Sequence, residues 1–249
     1  MVLLKLFKTN YLCCQFFDTM RIVFLGTPDF AVASLKALVE NNFNVVGVVT
    51  MPDKKSGRGM KVQESAVKRY AIEKGLTVLQ PENLKDESFQ FELKELKPDL
   101  QIIVAFRMLP ASVWQLPKYG TFNLHGSLLP NYRGAAPINW AVMNGEKETG
   151  VTTFFLEHEI DTGEIIDFTK VEIGSNETAG ELHDKLMSIG ADLVVKTTRK
   201  IMNGSVSTQK QDDILQGQKP KLAYKILLRK TLMIIYKKFF LQVRKKRKL

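Results

Sequence analysis

Short segments rich in apolar and β-branched residues alternate with segments of helical pattern along residues 21–202. The first is Arg21–Leu25, which is followed by Gly26, and the next is Asn44–Thr50. Leu100–Ala105 is apolar enough for burial on both faces, as in a central parallel strand. Because strands that alternate with helices form parallel βαβ units, the pattern predicts an α/β fold with a Rossmann-like, doubly wound, mostly parallel sheet.

Turn and capping residues divide the rest of the chain into further elements. Thr27 is predicted to cap a helix that begins at Pro28, and Gly75 is predicted to end another. The predicted helices are 28–40, 63–74, 85–96, 135–143 and 178–202. The remaining predicted strands are 76–79, 120–124 and a hairpin of 150–156 and 164–172. Residues 51–62 are predicted to form a loop.

The 249-residue chain has a nearly neutral body and a strongly basic end. Residues 219–249 hold 12 of the 36 Lys and Arg residues and no acidic residue, and residues 1–19 carry a charge of +1, so residues 20–218 carry a charge of −3. The net charge of +10 therefore indicates a basic tail and not a basic surface over the whole protein. Cys13 and Cys14 cannot build a disulfide framework or a cysteine zinc site, and they fit a reducing cytoplasm.

Several common cofactor and hydrolase motifs are missing from the sequence. Only Gly26 follows the first strand, so a G-x-G-x-x-G dinucleotide site is disfavoured, and there is no G-x-x-x-x-G-K-[ST]. The residues around Ser127 do not form a G-x-S-x-G nucleophile elbow. His125, His158 and His183 show no metal-ligand spacing, so no metal is expected.

Polar residues follow the strand predicted at 120–124, where a doubly wound sheet binds ligands. Asn123 and His125 are two apart and share one face if the extended geometry continues, and Asp161 lies in a turn between two later strands. An amide donor, an imidazole and a carboxylate suit acyl transfer to an amine, in which donors stabilise an oxyanion and a base removes a proton. From spacing alone, a loop hydrogen-bonding pair and an ordinary turn are the commoner explanation.

The sequence resembles the methionyl-tRNA formyltransferase family over about residues 20–222. The likeness rests on FLGTPDFA at 24–31, on N-x-H-x-SLLP followed by RGAAP at 123–137, and on Asp-Thr-Gly at 161–163. The resemblance implies formyl transfer from 10-formyltetrahydrofolate to the methionine amino group of initiator Met-tRNA. It further implies a cytoplasmic enzyme, which we expect to be a monomer without membrane contact.

The resemblance also implies roles for individual residues. Asn123 and His125 would stabilise the formyl oxyanion, and Asp161 would act on His125 and on proton movement. The loop that follows the strand at 100–105 is expected to line the folate pocket with backbone groups, although it reads Phe-Arg-Met-Leu where a Tyr-Gly-like pair is expected. The implied folate-binding residues are Ser127, Leu128, Leu129, Pro130, Phe106, Met108 and Leu109.

A basic, glycine-containing loop at 53–61 matches the segment with which the family senses tRNA. Its glycines permit closure over an acceptor stem, and its cations can contact phosphates. Without the resemblance, a flexible solvated loop would be the preferred interpretation. The implied tRNA-binding residues are Arg58, Lys54, Lys55 and Lys61.

The resemblance ends where the family continues into a second, β-barrel domain. Residues 223–249 contain neither Gly nor Pro and show no alternating strand pattern, so no complete barrel is expected there. We interpret this tail as out-of-frame translation, and the extension before Met20 as a miscalled start. The predicted organisation is 1–19 extension, 20–205 catalytic domain, 206–222 linker and 223–249 basic tail.

Three alternatives stay open at this point. The first is a folate-dependent formyltransferase acting on a small amine, such as an amino-sugar nucleotide or glycinamide ribonucleotide, with the same Asn, His and Asp. The second is a catalytically silent, truncated chain that binds RNA through its basic tail. The third is a protein that lies on a membrane surface through its terminal segments. The segment Arg133–Pro137 and the loop Gly57-Arg58-Gly59 favour the tRNA enzyme, although nucleotide-sugar enzymes also carry an Arg-Gly after SLLP.

Overall fold

The computed structural model describes residues 20–56 and 61–223. In chain order the strands of these residues are β1 (Ile22–Gly26), β2 (Val45–Val49), β3 (Lys54–Ser56), β4 (Lys61–Gln63), β5 (Val78–Leu79), β6 (Leu100–Val104), β7 (Thr121–His125), β8 (Arg133–Gly134), β9 (Glu148–Phe155), β10 (Ile165–Glu172) and β11 (Leu222–Ala223). The helices are α1 (Asp29–Glu40), α2 (Ala66–Glu73), α3 (Glu87–Glu95), α4 (Ala111–Trp114), α5 (Pro137–Met143), α6 (Ala179–Met202) and α7 (Gln211–Leu215).

Seven strands form the main sheet, in the order β10-β9-β7-β6-β1-β2-β5. The five strands from β7 to β5 are parallel, whereas β9 is antiparallel to β7 and forms the predicted hairpin with β10. The strand order reverses between β1 and β6, as in a doubly wound sheet. The predicted α/β fold class is confirmed.

The two faces of β1 contribute to two different hydrophobic cores, and all five of its residues are buried. Ile22 and Phe24 belong to a core that α1 and α6 cover. Val23 and Leu25 belong to a second core, to which α3 contributes Phe89. This alternation explains why the central strands are apolar throughout, because a sheet covered on both faces has no solvent-facing positions.

Local capping interactions define where the helices begin. Ser65 caps α2 by accepting a backbone hydrogen bond. Thr178 forms a capping box with Glu181 at the start of α6, which agrees with the helix predicted to begin at residue 178. The prediction that Thr27 caps α1 is wrong, since the capping position is Pro28. The hydroxyl of Thr27 is buried and has no hydrogen-bond partner within the described residues.

The prediction of a continuous loop at 51–62 is also wrong. The backbones of β3 and β4 pair as an antiparallel hairpin, with Lys54 opposite Gln63. This hairpin follows the carboxyl end of β2. No hydrophobic alternation marks it in the sequence, and the hairpin side chains that the structure describes, Lys54, Val62 and Gln63, are exposed.

Residues 206–222, predicted to be a linker, pack back against the body together with Ala223. The backbones of Gln209 and Ile165 pair at 2.9 Å, and β11 lies parallel to β8. A domain boundary near 205 stays a prediction. The predicted extension at 1–19 and residues 224–249 of the basic tail lie outside the described residues. Among the helices described, none has the length and apolar character needed to cross a membrane.

Candidate active site

Strand β7 places Asn123 and His125 on one face at its carboxyl end. His125 lies opposite Thr152 of β9, and Asn123 lies between Ile103 of β6 and Phe154 of β9. Because β7 has neighbours on both sides, its backbone is held firmly and the two side chains keep a constant separation. His125 is 6% exposed, so its ring is almost fully enclosed by the protein.

Two oxygen atoms next to the His125 ring indicate which of its nitrogens carries a proton. Nε2 lies 2.8 Å from the carbonyl oxygen of Tyr132. A carbonyl can only accept, so Nε2 carries a proton and donates. Nδ1 lies 3.7 Å from Oδ2 of Asp161. With Nε2 protonated, Nδ1 of a neutral ring is free to take a proton, and it faces a carboxylate that pairs with the resulting cation.

Asp161 comes from the loop between β9 and β10, which folds back toward the end of β7. Its backbone is left-handed, with φ of 56°, and Oδ2 accepts a hydrogen bond of 2.8 Å from the N–H of Gly134. Gly163 is required two residues later, because a Cβ there would lie 1.7 Å from the carbonyl oxygen of Phe155. The backbone of the predicted Asp-Thr-Gly turn therefore lies in close contact with that of Phe155, and this contact orients the Asp161 carboxylate.

Asn123 carries a buried polar atom without a partner. Its Oδ1 is enclosed, and no donor within residues 20–56 and 61–223 reaches it. Buried polar atoms are nearly always hydrogen-bonded, and exceptions concentrate where a ligand completes the network. The three residues that the sequence predicted to work together are thus brought to one place. An amide, an imidazole and a carboxylate at this point can stabilise an oxyanion and move a proton.

The Ser-Leu-Leu-Pro segment follows β7 as a tightly bonded turn. Ser127 is fully buried, and its hydroxyl donates to the carbonyl of Asn131 at 2.7 Å. The Thr152 hydroxyl donates to the Ser127 carbonyl at 2.7 Å and accepts from the Leu129 N–H at 3.2 Å. The Leu129–Pro130 peptide is cis. Leu129 is buried, so this segment offers a ligand mainly backbone groups, and its folate contacts stay predictions.

The loop after β6 is anchored by Arg107. The Arg107 guanidinium donates to the carbonyls of Glu82 and Pro81 at 2.7 and 2.5 Å, and burial lowers its pKa. Leu109 is buried in the second core with Phe106 against it, whereas Met108 is 71% exposed. Because β6 and β7 are neighbours, this loop and the Ser-Leu-Leu-Pro turn begin at the same edge of the sheet. Its folate contacts also stay predictions.

Tyr132 and Thr152 are site residues that the sequence did not single out. The Tyr132 hydroxyl donates to Glu146 and accepts from Asn144 Nδ2 at 3.0 Å. Burial and the bond to Glu146 raise the pKa of Tyr132 to about 12. Glu146 in turn pairs with Lys221 at 2.6 Å. Thr152 is a polar residue within a predicted strand, and only the structure shows that it is fully buried.

The predicted tRNA-binding residues are only partly described. Lys54 is exposed on β3. Lys55 and Lys61 belong to the β3–β4 hairpin by their backbones, and their side chains, like Arg58, lie outside the described residues. Before the hairpin, hydrogen bonds from Lys68 and Gln80 hold the pKa of Asp53 below its ordinary value. The RNA contacts stay predictions.

The other two histidines contact aromatic rings. His158 packs edge-on against Trp114, with centroids 5.4 Å apart, and His183 lies 5.2 Å from Phe30. Within the two described stretches of chain, no three His, Cys, Asp or Glu residues are grouped so that they could hold a metal ion.

In this doubly wound α/β sheet an amide, an imidazole and a carboxylate lie at the carboxyl end of β7, an arrangement that suits an acyl-transferring enzyme. Residues 20–198 match the family model described as formyl transferase. The chain belongs to the formyl transferase family.

Curated relatives of this chain include methionyl-tRNA formyltransferases. The methionyl-tRNA formyltransferase of Bacteroides thetaiotaomicron is 59% identical over 197 residues, which are 79% of this chain and 61% of that protein. The methionyl-tRNA formyltransferase of Flavobacterium johnsoniae is 56% identical over 209 residues, or 84% of this chain and 65% of that protein. The chain thus spans less than two thirds of the length of these relatives.

Solved structures share the fold. The N-formyltransferase of Helicobacter canadensis, in complex with folinic acid and dTDP-3-aminofucose, has a TM-score of 0.62 and 27% identity, and the match covers 84% of this chain and 73% of that one. The phosphoribosylglycinamide formyltransferase of Anaplasma phagocytophilum has a TM-score of 0.63 and 20% identity, over 83% of this chain and 99% of that one. The family resemblance predicted from the motifs is confirmed.

Proposed function

We propose that the chain is the formyl-transferring part of a cytoplasmic methionyl-tRNA formyltransferase. In this proposal it transfers formyl from 10-formyltetrahydrofolate to the methionine amino group of initiator Met-tRNA. The observation that carries the proposal is the convergence of Asn123, His125 and Asp161 beyond β7, with Nδ1 of His125 3.7 Å from Oδ2 of Asp161. The 56–59% identity with curated methionyl-tRNA formyltransferases supports the choice of acceptor.

The proposed step needs no covalent intermediate with the protein. The methionine nitrogen attacks the formyl carbon, forming a C–N bond while the carbonyl electrons move to the oxygen. The amide of Asn123 donates to that oxyanion, and the positive charge that His125 carries once Nδ1 is protonated stabilises it further. Nδ1 of His125 accepts the proton that the attacking nitrogen loses as the C–N bond forms, and the Asp161 carboxylate beside it stabilises the resulting cation. The bond from the carbon to the folate nitrogen then breaks, that nitrogen takes up a proton, and formylmethionyl-tRNA and tetrahydrofolate result.

The folate would bind along the edge of the sheet where β6 and β7 end. Register supports this placement, since Ile103 pairs with Asn123 and the two following loops start side by side. In the proposal, the loop at 106–109 and the turn at 127–130 contact the donor through backbone groups. The buried side chains of Ser127 and Leu129 keep that turn in shape.

The acceptor tRNA would approach from the β3–β4 hairpin. This hairpin follows β2, whose carboxyl end lies at the same edge of the sheet as that of β7. Lys54, Lys55, Arg58 and Lys61 would then contact phosphates near the acceptor end. Such contacts make binding salt-dependent without adding sequence preference.

A second candidate is formyl transfer to an amino-sugar nucleotide. The observation that favours it is the 27% identity with a sugar N-formyltransferase solved with folinic acid and dTDP-3-aminofucose. The two candidates share the donor and the catalytic step and differ only in the amine.

Single-turnover formylation decides between them. The purified chain is mixed with 10-formyltetrahydrofolate and either Met-charged initiator tRNA or dTDP-3-aminofucose, with Asn123→Ala as control. Formylation of the tRNA alone, lost in the control, supports the proposal. Formylation of the sugar alone supports the second candidate. Binding of tRNA without formylation of either substrate supports the silent RNA-binding alternative.

A matched pair of charge variants tests the tRNA approach. Arg58→Ala is expected to raise the KM for Met-tRNA severalfold with kcat nearly unchanged. Lys118→Ala removes an exposed cation just before β7, at the opposite edge of the sheet, and should leave both constants unchanged. Equal effects of the two variants would contradict a specific role for the hairpin.

A further inference from the structure

We propose that Gln211 is a positioning residue, which holds the Asp161 loop in the geometry that formyl transfer needs. The family match ends at residue 198, so Gln211 belongs to a segment that the match does not include. The inference rests on the proposed function, because it concerns the same site.

Gln211 starts α7 and is 2% exposed. Its amide nitrogen donates to the carbonyl of Asp161 at 2.9 Å and to the carbonyl of Gly163 at 2.8 Å. Its amide oxygen accepts from Nε of Arg133 at 2.9 Å. One buried side chain therefore bonds to both sides of the Asp-Thr-Gly turn and to the residue before Gly134.

These bonds control the direction of the Asp161 carboxylate. Asp161 has a φ of 56°, a left-handed conformation that residues with a side chain adopt uncommonly, although aspartate and asparagine adopt it more often than most. Gln211 holds the carbonyl of that residue, while Gly134 holds its Oδ2 at 2.8 Å. Arg133 directly precedes Gly134, whose N–H donates to the Asp161 carboxylate. Gln211 therefore holds the main chain of Asp161 and, through Arg133, also the position of this N–H donor.

The chain on both sides of Gln211 is anchored to the same site loops. Gln209 exchanges two backbone hydrogen bonds of 2.9 Å with Ile165, just after the turn. Further along, the Ala223 carbonyl accepts from the Ala135 N–H at 3.1 Å. Backbone hydrogen bonds before and after Gln211 thus fix its position. Only an uncharged amide supplies two donors and one acceptor in this space, which explains why a glutamine stands here.

Two substitutions in the full chain separate the contacts of Gln211. Gln211→Met keeps the approximate length and removes all three hydrogen bonds. Gln211→Glu keeps an acceptor for Arg133 but turns a carboxylate toward the carbonyls of Asp161 and Gly163. We expect both to lower kcat by about 10- to 100-fold, as misplaced catalytic groups do, with the KM for the folate donor within about twofold.

Two controls distinguish positioning from a general loss of stability. Gln218→Glu makes the same chemical change at an exposed position of the same segment and should leave kcat unchanged. Combining Gln211→Glu with Asp161→Asn should cost no more than Asp161→Asn alone, because Gln211 acts through Asp161. Additive losses, or wild-type kcat in Gln211→Glu, would overturn the inference.

Amide hydrogen exchange tests the same inference without turnover. The amides of Gly134 and of residues 161–163 should exchange faster in the Gln211→Glu and Gln211→Met proteins, while those of β1 and β6 stay protected. If the wild-type chain formylates no substrate, the proposed function fails and exchange alone decides this inference. Unchanged exchange at these amides in a folded variant overturns it, and should Gln211→Met not fold, Gln211→Glu decides.

Discussion

Oδ2 of Asp161 accepts a hydrogen bond of 2.8 Å from the N–H of Gly134, and the same oxygen lies 3.7 Å from Nδ1 of His125. Gly134 can reach this position because it has a φ of 104° and lacks a Cβ atom. A Cβ at this residue would lie 2.3 Å from the Ala223 carbonyl oxygen. A backbone donor therefore aims the carboxylate at the imidazole, and a side chain at position 134 would displace it.

Asp161→Asn should remove the charge next to His125 while leaving the fold in place. Asparagine tolerates a left-handed backbone and still offers an oxygen to Gly134. We expect kcat for Met-tRNA formylation to fall by about 10²- to 10⁴-fold, the usual contribution of acid–base catalysis. Glu159→Gln, the same kind of change at an exposed position of the same loop, is the control. An Asp161→Asn protein with nearly full kcat would exclude Asp161 from the proton transfer.

Asn123→Ala should separate catalysis from stability. The substitution removes the amide donor, so we expect kcat to fall by about 10²- to 10³-fold. The free energy of unfolding should change by less than about 1 kcal/mol, because Oδ1 is buried and makes no hydrogen bond to the described residues. Steady-state kinetics and urea denaturation measure the two effects, with exposed Asn176→Ala as the matched control. A large loss of stability would show that Asn123 supports the fold instead.

Gly163→Ala should disturb the Asp161 loop through sterics alone. The new Cβ would lie 1.7 Å from the Phe155 carbonyl oxygen, so the two backbones must move apart. We expect the free energy of unfolding to fall by about 1–3 kcal/mol, as for other forced backbone shifts, together with a loss of kcat. At Gly174 a Cβ meets nothing nearer than 3.5 Å, so Gly174→Ala should have little effect. Thermal unfolding of the two variants side by side checks this difference.

Asp167→Asn should lower stability in a pH-dependent way. Burial raises the pKa of Asp167, but hydrogen bonds from Lys200, Lys196 and the Phe168 backbone outweigh burial and bring the pKa below its ordinary value. A carboxyl group with a lowered folded pKa stabilises the protein above its unfolded pKa of about 4, and this stability is lost as the pH falls through the folded pKa.

At pH 7 we therefore expect Asp167→Asn to lower the free energy of unfolding by about 1–2 kcal/mol, the usual contribution of hydrogen bonds to a charged group. The difference from the wild type should shrink progressively as the pH falls below about 4. Urea denaturation of both proteins at neutral and acidic pH measures it. A difference of equal size at both pH values would show that charge pairing of Asp167 contributes nothing.

Hydrophobic patterns predicted the strands of the main sheet and the long helix α6, because these elements bury side chains. The strand predicted at Leu100–Ala105 is observed at Leu100–Val104, and the helix predicted at 178–202 is observed at Ala179–Met202. The β3–β4 hairpin escaped prediction because it is short, polar and made by backbone pairing. Where no apolar face is buried, the order of residues carries little information about pairing.

Asn123, His125 and Asp161 could be proposed from the sequence because polar residues beyond parallel strands gather at one edge of a sheet, and because the motifs resemble a family. Gln211 could not, since it stands in a polar stretch without periodicity and meets Asp161 from 50 positions away. The sequence by itself thus determined the sheet, the strand that carries Asn123 and His125, and the family. Only the tertiary structure decided which oxygen faces His125 and which side-chain amide holds the Asp161 loop. Hydrogen bonds between distant segments depend on how the chain folds back and not on the local sequence pattern.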